Sequence, residues 1–213
     1  MLSWKVSKVT DLRNGCLGNR RLGNGCLGNE NQNRNKQLIK RYYMINKSFE
    51  FKIGVIGLGY VGTPLACLFS KKYETWGYDI NAAKVNKLAN RQMSDNKQLS
   101  KALAHGLKLT SDIENLRTCN VYIIAVPTPV NKSNKPDISC VRNATRSVGS
   151  ILKEGDIVVY ESTVYPGLTE EVCAPLLEAT SGLKLNQSFY VGFSPERINP
   201  GDTVHTIENI VKV

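Results

Sequence analysis

The chain has 213 residues, of which 41% are hydrophobic and 22% are charged, so it can bury the core of one large or two small globular domains. It has no run of 18 apolar residues and no apolar amino-terminal stretch, so we expect neither a transmembrane helix nor a signal peptide, and we expect a cytoplasmic protein without a membrane partner. The net charge of +10 is typical of nucleic-acid binding, but residues 1–50 carry ten Lys and Arg against three acids, so the excess lies mostly in the tail.

Residues 1–48 are predicted to form a disordered, basic, low-complexity tail. NGCLGN occurs at 14–19 and again at 24–29, and no apolar period of 2 or 3.6 residues runs through this region. Such a segment buries too little surface to offset its ordering entropy. The alternative is an arm that binds nucleic acid. Because no aromatic residues are interleaved in the repeat, we expect no nucleic-acid partner.

The six cysteines, at 16, 26, 67, 119, 140 and 173, indicate neither a metal site nor a redox motif. No two of them have CxxC spacing, which a zinc site or a redox pair would require. We therefore expect free thiols in a reducing compartment and no bound metal.

From residue 51 onward, apolar strands alternate with helices. Strands are predicted at 51–56, 75–80, 107–110, 121–126, 156–161 and 189–193. Helices are predicted at 63–72, at 81–90 with Asn81 as the N-cap, at 111–117 with Ser111 or Asp112 as the N-cap, and at 136–153. A loop and a short helix are expected within 91–105, and a last helix from about 169 should be kinked or split by Pro175. Short loops between alternating elements indicate an α/β fold, a Rossmann-like doubly wound parallel sheet over 51–213.

The segment Gly57-Leu58-Gly59-Tyr60-Val61-Gly62 matches GxGxxG between the first strand and the first helix. Gly57 would permit a tight turn, Gly59 would let the backbone approach a pyrophosphate, and Gly62 would let the helix pack against the strand. The helix N-terminus offers N–H groups and a positive dipole end to phosphates.

Asp79 ends the second strand, 22 residues after Gly57, where an acid is expected to accept hydrogen bonds from the adenosine ribose. A carboxylate there repels a 2′-phosphate, so the sequence favours NAD over NADP. FAD shares the glycine motif, but nothing else in the sequence indicates a flavin site. The loops at 127–129, 161–163 and 194–197 also follow strands, and they are expected to line the same cleft, although ordinary turns are the alternative.

Five segments together resemble the UDP-glucose/GDP-mannose dehydrogenase family. They are KIGVIGLGYVG (52–62), GYDIN (77–81), VPTP (126–129), ESTVYPG (161–167) and GFSPERINPGD (192–202). The resemblance covers about 51–213, and it is nearest to the branch that oxidises UDP-N-acetylhexosamines. It implies an NAD-dependent oxidation of the sugar C6 alcohol to the uronic acid, with two NAD and a cysteine thioester, in surface polysaccharide biosynthesis. It also implies a UDP-sugar substrate and full-length relatives that are homodimers or larger.

The resemblance assigns a role to each matching residue. It implies that the pyrophosphate is held by Gly57, Gly59, Tyr60, Val61 and Gly62, and that Asp79 and Lys84 contact the adenosine ribose. Thr128 and Thr163 would line the cofactor cleft. For catalysis it implies that Thr163 helps to order a water and that Glu196 acts as acid and base on that water. Arg197, Asn199 and Glu196 would face the sugar nucleotide.

Two features depart from the family pattern. The glucose-oxidising branch has a second glutamate where this chain has Pro200, so UDP-glucose is the less favoured substrate. No GGSCxxKD-like segment with the nucleophilic cysteine is present, so we expect an amino-terminal portion that lacks the central helix, the UDP-binding domain and turnover. The alternative is a non-catalytic nucleotide-binding or partner module. Other Rossmann enzymes, such as 3-hydroxyacid dehydrogenases, share GxGxxG but do not require SPERINPGD.

Overall fold

The structure, a computed structural model, describes residues 50–90, 97–130 and 136–194. The described residues from Phe51 onward belong to one compact unit of the chain. The tail predicted at 1–48 and the substrate residues Glu196, Arg197 and Asn199 lie outside the described residues.

Six parallel strands form one sheet. They are β1 (Lys52–Ile56), β2 (Glu74–Tyr78), β3 (Lys108–Thr110), β4 (Val121–Ile124), β5 (Ile157–Tyr160) and β6 (Tyr190–Phe193). Their order is β3-β2-β1-β4-β5-β6, and every neighbouring pair is parallel. The predicted doubly wound, Rossmann-like sheet is confirmed. Because the order reverses between β1 and β4, the loops that leave these strands diverge and open a crevice at their carboxyl ends.

The helices follow the strands as the periodicity predicts. They are α1 (Gly62–Phe69), α2 (Ala82–Ala89), α3 (Lys97–Ala104), a 3-10 helix (Ile113–Thr118), α4 (Ser139–Ile151) and α5 (Ala174–Ser181). Asn81 caps α2, as predicted, because its side chain accepts a hydrogen bond from the Lys84 N–H at 3.0 Å. Of the two caps considered for the 3-10 helix, Asp112 is the one used, and it accepts from the Glu114 N–H.

The structure corrects the start of the helix predicted from residue 136. Asp137 donates its N–H to the Pro129 carbonyl at 2.7 Å, and its carboxylate accepts from the Ser139 N–H at 2.9 Å. These bonds hold residue 137 in a turn before the helix, so α4 begins only at Ser139.

Pro175 interrupts its helix, as predicted. A π-turn spans Thr169–Cys173, and the proline lies in the first turn of α5. A proline lacks the N–H of a regular helical bond and its ring clashes with the carbonyl of the preceding turn. The wider π-turn accommodates both defects.

Apolar residues cover both faces of the sheet. One cluster joins the sheet to α4 and α5 and includes Tyr122, Tyr160, Val148 and Leu177; the other joins it to α1, α2 and α3 and includes Leu65, Val85 and Leu99. Burial on both faces explains why β1 and β4 read as nearly continuous apolar runs. None of the described helices is long and apolar enough to cross a membrane.

Candidate dinucleotide-binding site

The glycine turn after β1 depends on two positions where a side chain has no room. Gly57 has φ +95°, and a Cβ there would lie 2.8 Å from the Ala125 carbonyl oxygen. A Cβ on Gly62 would lie 1.8 Å from the Gly57 carbonyl oxygen. Gly57 therefore makes the turn possible and Gly62 lets α1 begin directly against it.

Gly59 has a different role from the other two glycines. No protein atom lies within 4 Å of the place where its Cβ would be, and the residue borders an open cavity. Thr63 donates its N–H to the Gly59 carbonyl at 3.1 Å, which ties this residue to the first turn of α1. No side chain caps the N-terminus of α1, and Val61 directly before it lines the cavity. The positive end of the helix dipole is therefore suited to an anion bound there.

Asp79 connects the end of β2 to the glycine turn. Its carboxylate accepts hydrogen bonds from the Leu58 N–H at 3.0 Å, the Asn81 N–H at 3.0 Å and the Lys84 ammonium at 2.7 Å. The Gly57 N–H also donates to the Tyr78 carbonyl at 2.8 Å. The turn and the end of β2 are thus held together before any ligand binds.

The Asp79 carboxylate stays ionised although it is only 8% exposed. Burial by itself raises its pKa, but the hydrogen bonds from Lys84, Asn81 and Leu58 outweigh burial and hold the pKa below its usual value of 3.8. A negative charge therefore remains at the place where the sequence predicts contact with a ribose.

The loops after β4 and β5 form the opposite wall. The Thr128 hydroxyl donates to the Thr163 carbonyl at 2.6 Å, and the Ser162 hydroxyl donates to the Val126 carbonyl at 2.8 Å. Ser162 is 4% exposed, so its hydroxyl joins the two loops inside the protein. Thr163, by contrast, lies on the cavity surface.

These elements enclose a cavity of about 550 Å³, within the range of small-molecule sites. It is lined by eight of the nine predicted cofactor residues, namely Gly57, Gly59, Tyr60, Val61, Asp79, Lys84, Thr128 and Thr163. The ninth, Gly62, is buried beneath the turn. The structure thus brings together residues from four loops that are up to 106 positions apart in the chain.

Sequence reasoning missed one wall of the cavity. Cys140, Asn143 and Ser147 lie on α4 and face the cavity, and Ile80 borders it with 81% of its surface exposed. The spacing 140, 143, 147 is helical, but it is also typical of the solvated side of any amphipathic helix. The sequence therefore carries no signal that would have identified this wall in advance.

The cysteines of the described residues are free thiols, as predicted. Burial raises the pKa of the Cys67 thiol to about 11 and that of Cys119 to about 12, and burial also raises the pKa of Cys173. These three are therefore unreactive core residues. Among the described residues no group of His, Cys, Asp or Glu side chains is arranged to hold a metal ion.

Comparison with known proteins also indicates a dinucleotide-binding domain. The profile of the UDP-glucose/GDP-mannose dehydrogenase family, NAD binding domain, matches residues 51–213. The chain is 51% identical over 166 residues to UDP-N-acetyl-D-glucosamine 6-dehydrogenase of Salmonella typhi. The aligned region covers 77% of this chain and 39% of that protein. It is 48% identical over 168 residues to the Pseudomonas aeruginosa enzyme of the same name, with the same two coverages.

A solved structure shares the fold as well. The UDP-D-ManNAc dehydrogenase of Pyrococcus horikoshii superposes with a TM-score of 0.66 at 38% identity, over 71% of this chain and 37% of that one. The chain therefore spans about two fifths of the length of the curated relatives that it matches.

Proposed function

Because this chain belongs to the UDP-glucose/GDP-mannose dehydrogenase family, through that family's NAD-binding domain, we propose that it forms the NAD-binding part of an enzyme that oxidises the C6 alcohol of a UDP-N-acetylhexosamine to the uronic acid. The names of the two relatives that are about half identical to it support this sugar class. Pro200, where the glucose-oxidising branch has a second glutamate, argues against UDP-glucose.

The observation that carries the cofactor proposal is the bond between Asp79 and the glycine turn. A pyrophosphate over Gly59 and the N-terminus of α1 would place the attached adenosine ribose beside the Asp79 carboxylate. Oδ2 of that carboxylate accepts two hydrogen bonds from the protein and Oδ1 accepts one. Because each carboxylate oxygen can accept two, Oδ1 can accept one more from a ribose hydroxyl. Lys84, at 2.7 Å from Oδ2, is then within reach of the second hydroxyl.

The remaining residues would act on the other half of the cofactor and on the sugar. NAD, when bound, supplies the acceptor for the hydride from C6. Thr128 and Thr163 would line the rest of the cofactor cleft, and Thr163 would also help to order the hydrolytic water. Glu196 would move the proton of that water, and Arg197 and Asn199 would contact the sugar nucleotide. These roles rest on the family resemblance of the segments at 126–129, 161–167 and 192–202.

Titration calorimetry of the chain with NAD and NADP tests the cofactor proposal. We expect NAD to bind at least about tenfold more tightly than NADP, because the Asp79 charge repels a 2′-phosphate. In the variant Asp79→Asn the preference should shrink several-fold, since the charge is gone. Glu114→Gln, which neutralises an exposed carboxylate outside the cavity, should keep the wild-type preference. Equal affinity of the wild type for both dinucleotides contradicts the proposal.

A chimera tests the substrate proposal. Residues 51–213 would replace the matching residues of the Salmonella typhi relative, and NADH formation would be followed at 340 nm. We expect oxidation of UDP-N-acetylglucosamine well above that of UDP-glucose, and Glu196→Gln in the chimera should abolish turnover while leaving NAD binding intact. A chimera that folds and binds NAD but prefers UDP-glucose contradicts the proposed sugar class.

A further inference from the structure

The loops that follow β4 and β5 stay joined beyond the end of the sheet. The last paired residues of the two strands are Ile124 and Tyr160. The Glu161 N–H still donates to the Ile124 carbonyl at 2.9 Å. The Ser162 N–H donates to the same carbonyl at 3.2 Å. Beyond Ser162, no backbone bond among the described residues joins the two loops, although both go on to line the cavity.

Side-chain hydroxyls continue the connection where the backbone cannot. Pro127 and Pro129 have no N–H to donate, so the loop after β4 can offer few backbone donors to its neighbour. Instead Ser162 donates its hydroxyl to the Val126 carbonyl at 2.8 Å, and Thr128 donates its hydroxyl to the Thr163 carbonyl at 2.6 Å. We call this pair of bonds, one in each direction, the hydroxyl clasp.

The hydroxyl clasp fixes the backbone of Thr163 and leaves its donor groups available. The carbonyl of Thr163 is engaged by Thr128. Within the part of the chain that the structure describes, neither the hydroxyl nor the N–H of Thr163 donates a hydrogen bond. Thr163 is exposed and borders the cavity. Its hydroxyl and N–H therefore lie at the cavity surface, while the hydrogen bond from Thr128 fixes its backbone.

The position of the clasp indicates which part of the cofactor it serves. In a doubly wound sheet, the half built from β1 to β3 binds the adenosine end of a dinucleotide and the half that begins with β4 binds the other end. Asp79 belongs to the first half, and the clasp belongs to the second. We propose that Thr128 is a positioning residue, whose hydroxyl sets the Thr163 loop at the width and orientation that the nicotinamide half of NAD requires; this inference rests on the proposed cofactor.

Thr128→Val tests the proposal, because valine keeps the shape of threonine and removes only the hydroxyl. Each variant would be titrated with NADH, whose nicotinamide fluorescence reports that end of the site, and with ADP, which occupies only the adenosine half. For Thr128→Val we expect NADH binding about three- to tenfold weaker, with a smaller fluorescence enhancement and an ADP affinity within about twofold of wild type. Thr128→Ser restores the hydroxyl and should restore both NADH properties.

Thr180→Val is the matched control. The Thr180 hydroxyl also donates to a carbonyl, that of Leu176, at 2.8 Å, but it lies outside the cavity. This variant should bind NADH and ADP as the wild type does. Unchanged NADH binding by Thr128→Val, or NADH and ADP weakened in equal proportion, overturns the inference. If the wild-type chain binds ADP and no NADH fluorescence change occurs, the inference alone fails; if it binds neither ligand, the proposed cofactor site fails with it.

Discussion

The Asp79 carboxylate accepts three hydrogen bonds from its own chain, from the N–H groups of Leu58 and Asn81 and from the Lys84 ammonium. It is therefore a structural group of the cleft as well as a proposed contact for the ribose. The bond to Leu58 is important here because it crosses from β2 to the glycine turn. A single residue thus links the shape of the glycine turn to the charge that we propose selects the cofactor.

The pH dependence of stability should report this role. The pKa of Asp79 is lower in the folded protein than its usual value of 3.8, so the ionised form stabilises the fold. That contribution is complete above the unfolded pKa and is lost as the pH falls through the folded pKa. We expect the thermal midpoint of the wild type to fall between pH 5 and pH 3 more steeply than that of Asp79→Asn.

Glu114→Gln serves as the control for this pH experiment. Its carboxylate also has a lowered pKa, caused first by its hydrogen bond from Arg117, but it is exposed. Because solvent screens such a pair, this variant should follow the wild-type curve closely. Parallel curves for the wild type and Asp79→Asn would show that the folded protein does not favour the ionised form of Asp79.

At the scale of elements, the three glycines of the turn between β1 and α1 have different roles. Gly57 and Gly62 are required by the protein's own backbone, since a Cβ at either one meets a carbonyl oxygen. Gly59 has open space around it. One motif therefore contains two glycines that the fold needs and one that the fold does not need, which we propose leaves room for a ligand.

Alanine substitutions should separate these two needs. Gly59→Ala should fold with a thermal midpoint within about 2 °C of wild type, roughly the effect of less than 0.5 kcal/mol on a domain of this size. It should nevertheless bind NAD at least about tenfold more weakly, because its Cβ would enter the space of the pyrophosphate. Gly62→Ala should be destabilised by about 3 kcal/mol or more, or fail to fold, because its Cβ meets backbone rather than a flexible side chain.

Calorimetry and thermal melts of both glycine variants decide the matter. A Gly59→Ala chain that loses stability but binds NAD normally would reverse the assignment. Gly155→Ala is a useful reference, because Gly155 has φ +88° but open space around it and lies outside the cavity; it should lose some stability and no affinity.

At the scale of the whole molecule, the described sheet ends in a strand that presents apolar side chains. β6 pairs with β5 and, within the described residues, with no other strand. Tyr190 and Phe193 on this strand are each 45% exposed. An edge strand with exposed aromatic residues is a surface that favours association.

We therefore expect the purified chain to self-associate through β6. Phe193→Lys places a charge on this edge and should shift the sedimentation profile towards the monomer. Val130→Lys changes an even more exposed apolar residue away from β6 and should not. A wild-type chain that sediments as a monomer at high concentration contradicts the expectation. The net charge of +10 makes this measurement best done at moderate salt.

Local pattern was sufficient for the fold class and for much of the cleft. The alternation of apolar runs with helical periods predicted the β-α-β sequence, and Asn81 was recognisable as a cap because capping involves residues only three positions apart. The glycine motif and Asp79 were likewise recognisable, since a strand, a turn and a helix within about 22 residues form one unit. The assignment of roles to Glu196, Arg197 and Asn199 stays a prediction.

The contacts that cross between loops could not be derived in this way. The Thr128–Thr163 bond, the Ser162–Val126 bond and the wall formed by α4 join segments that are far apart in the chain. Which of these segments meet depends on the strand order, and the order depends on how both faces of the sheet are buried.

The sequence by itself thus determined the kinds of elements, the turn that suits a pyrophosphate and the charge that suits a ribose, because each arises from interactions between near neighbours. Only the tertiary structure decided that Asp79 is bonded to Leu58 and Lys84, that Gly59 alone among the three glycines of the motif has open space around it, and that two hydroxyls hold the opposite wall. These features arise when β1, β2, β4 and β5 come side by side, and packing of the whole chain is what brings them there.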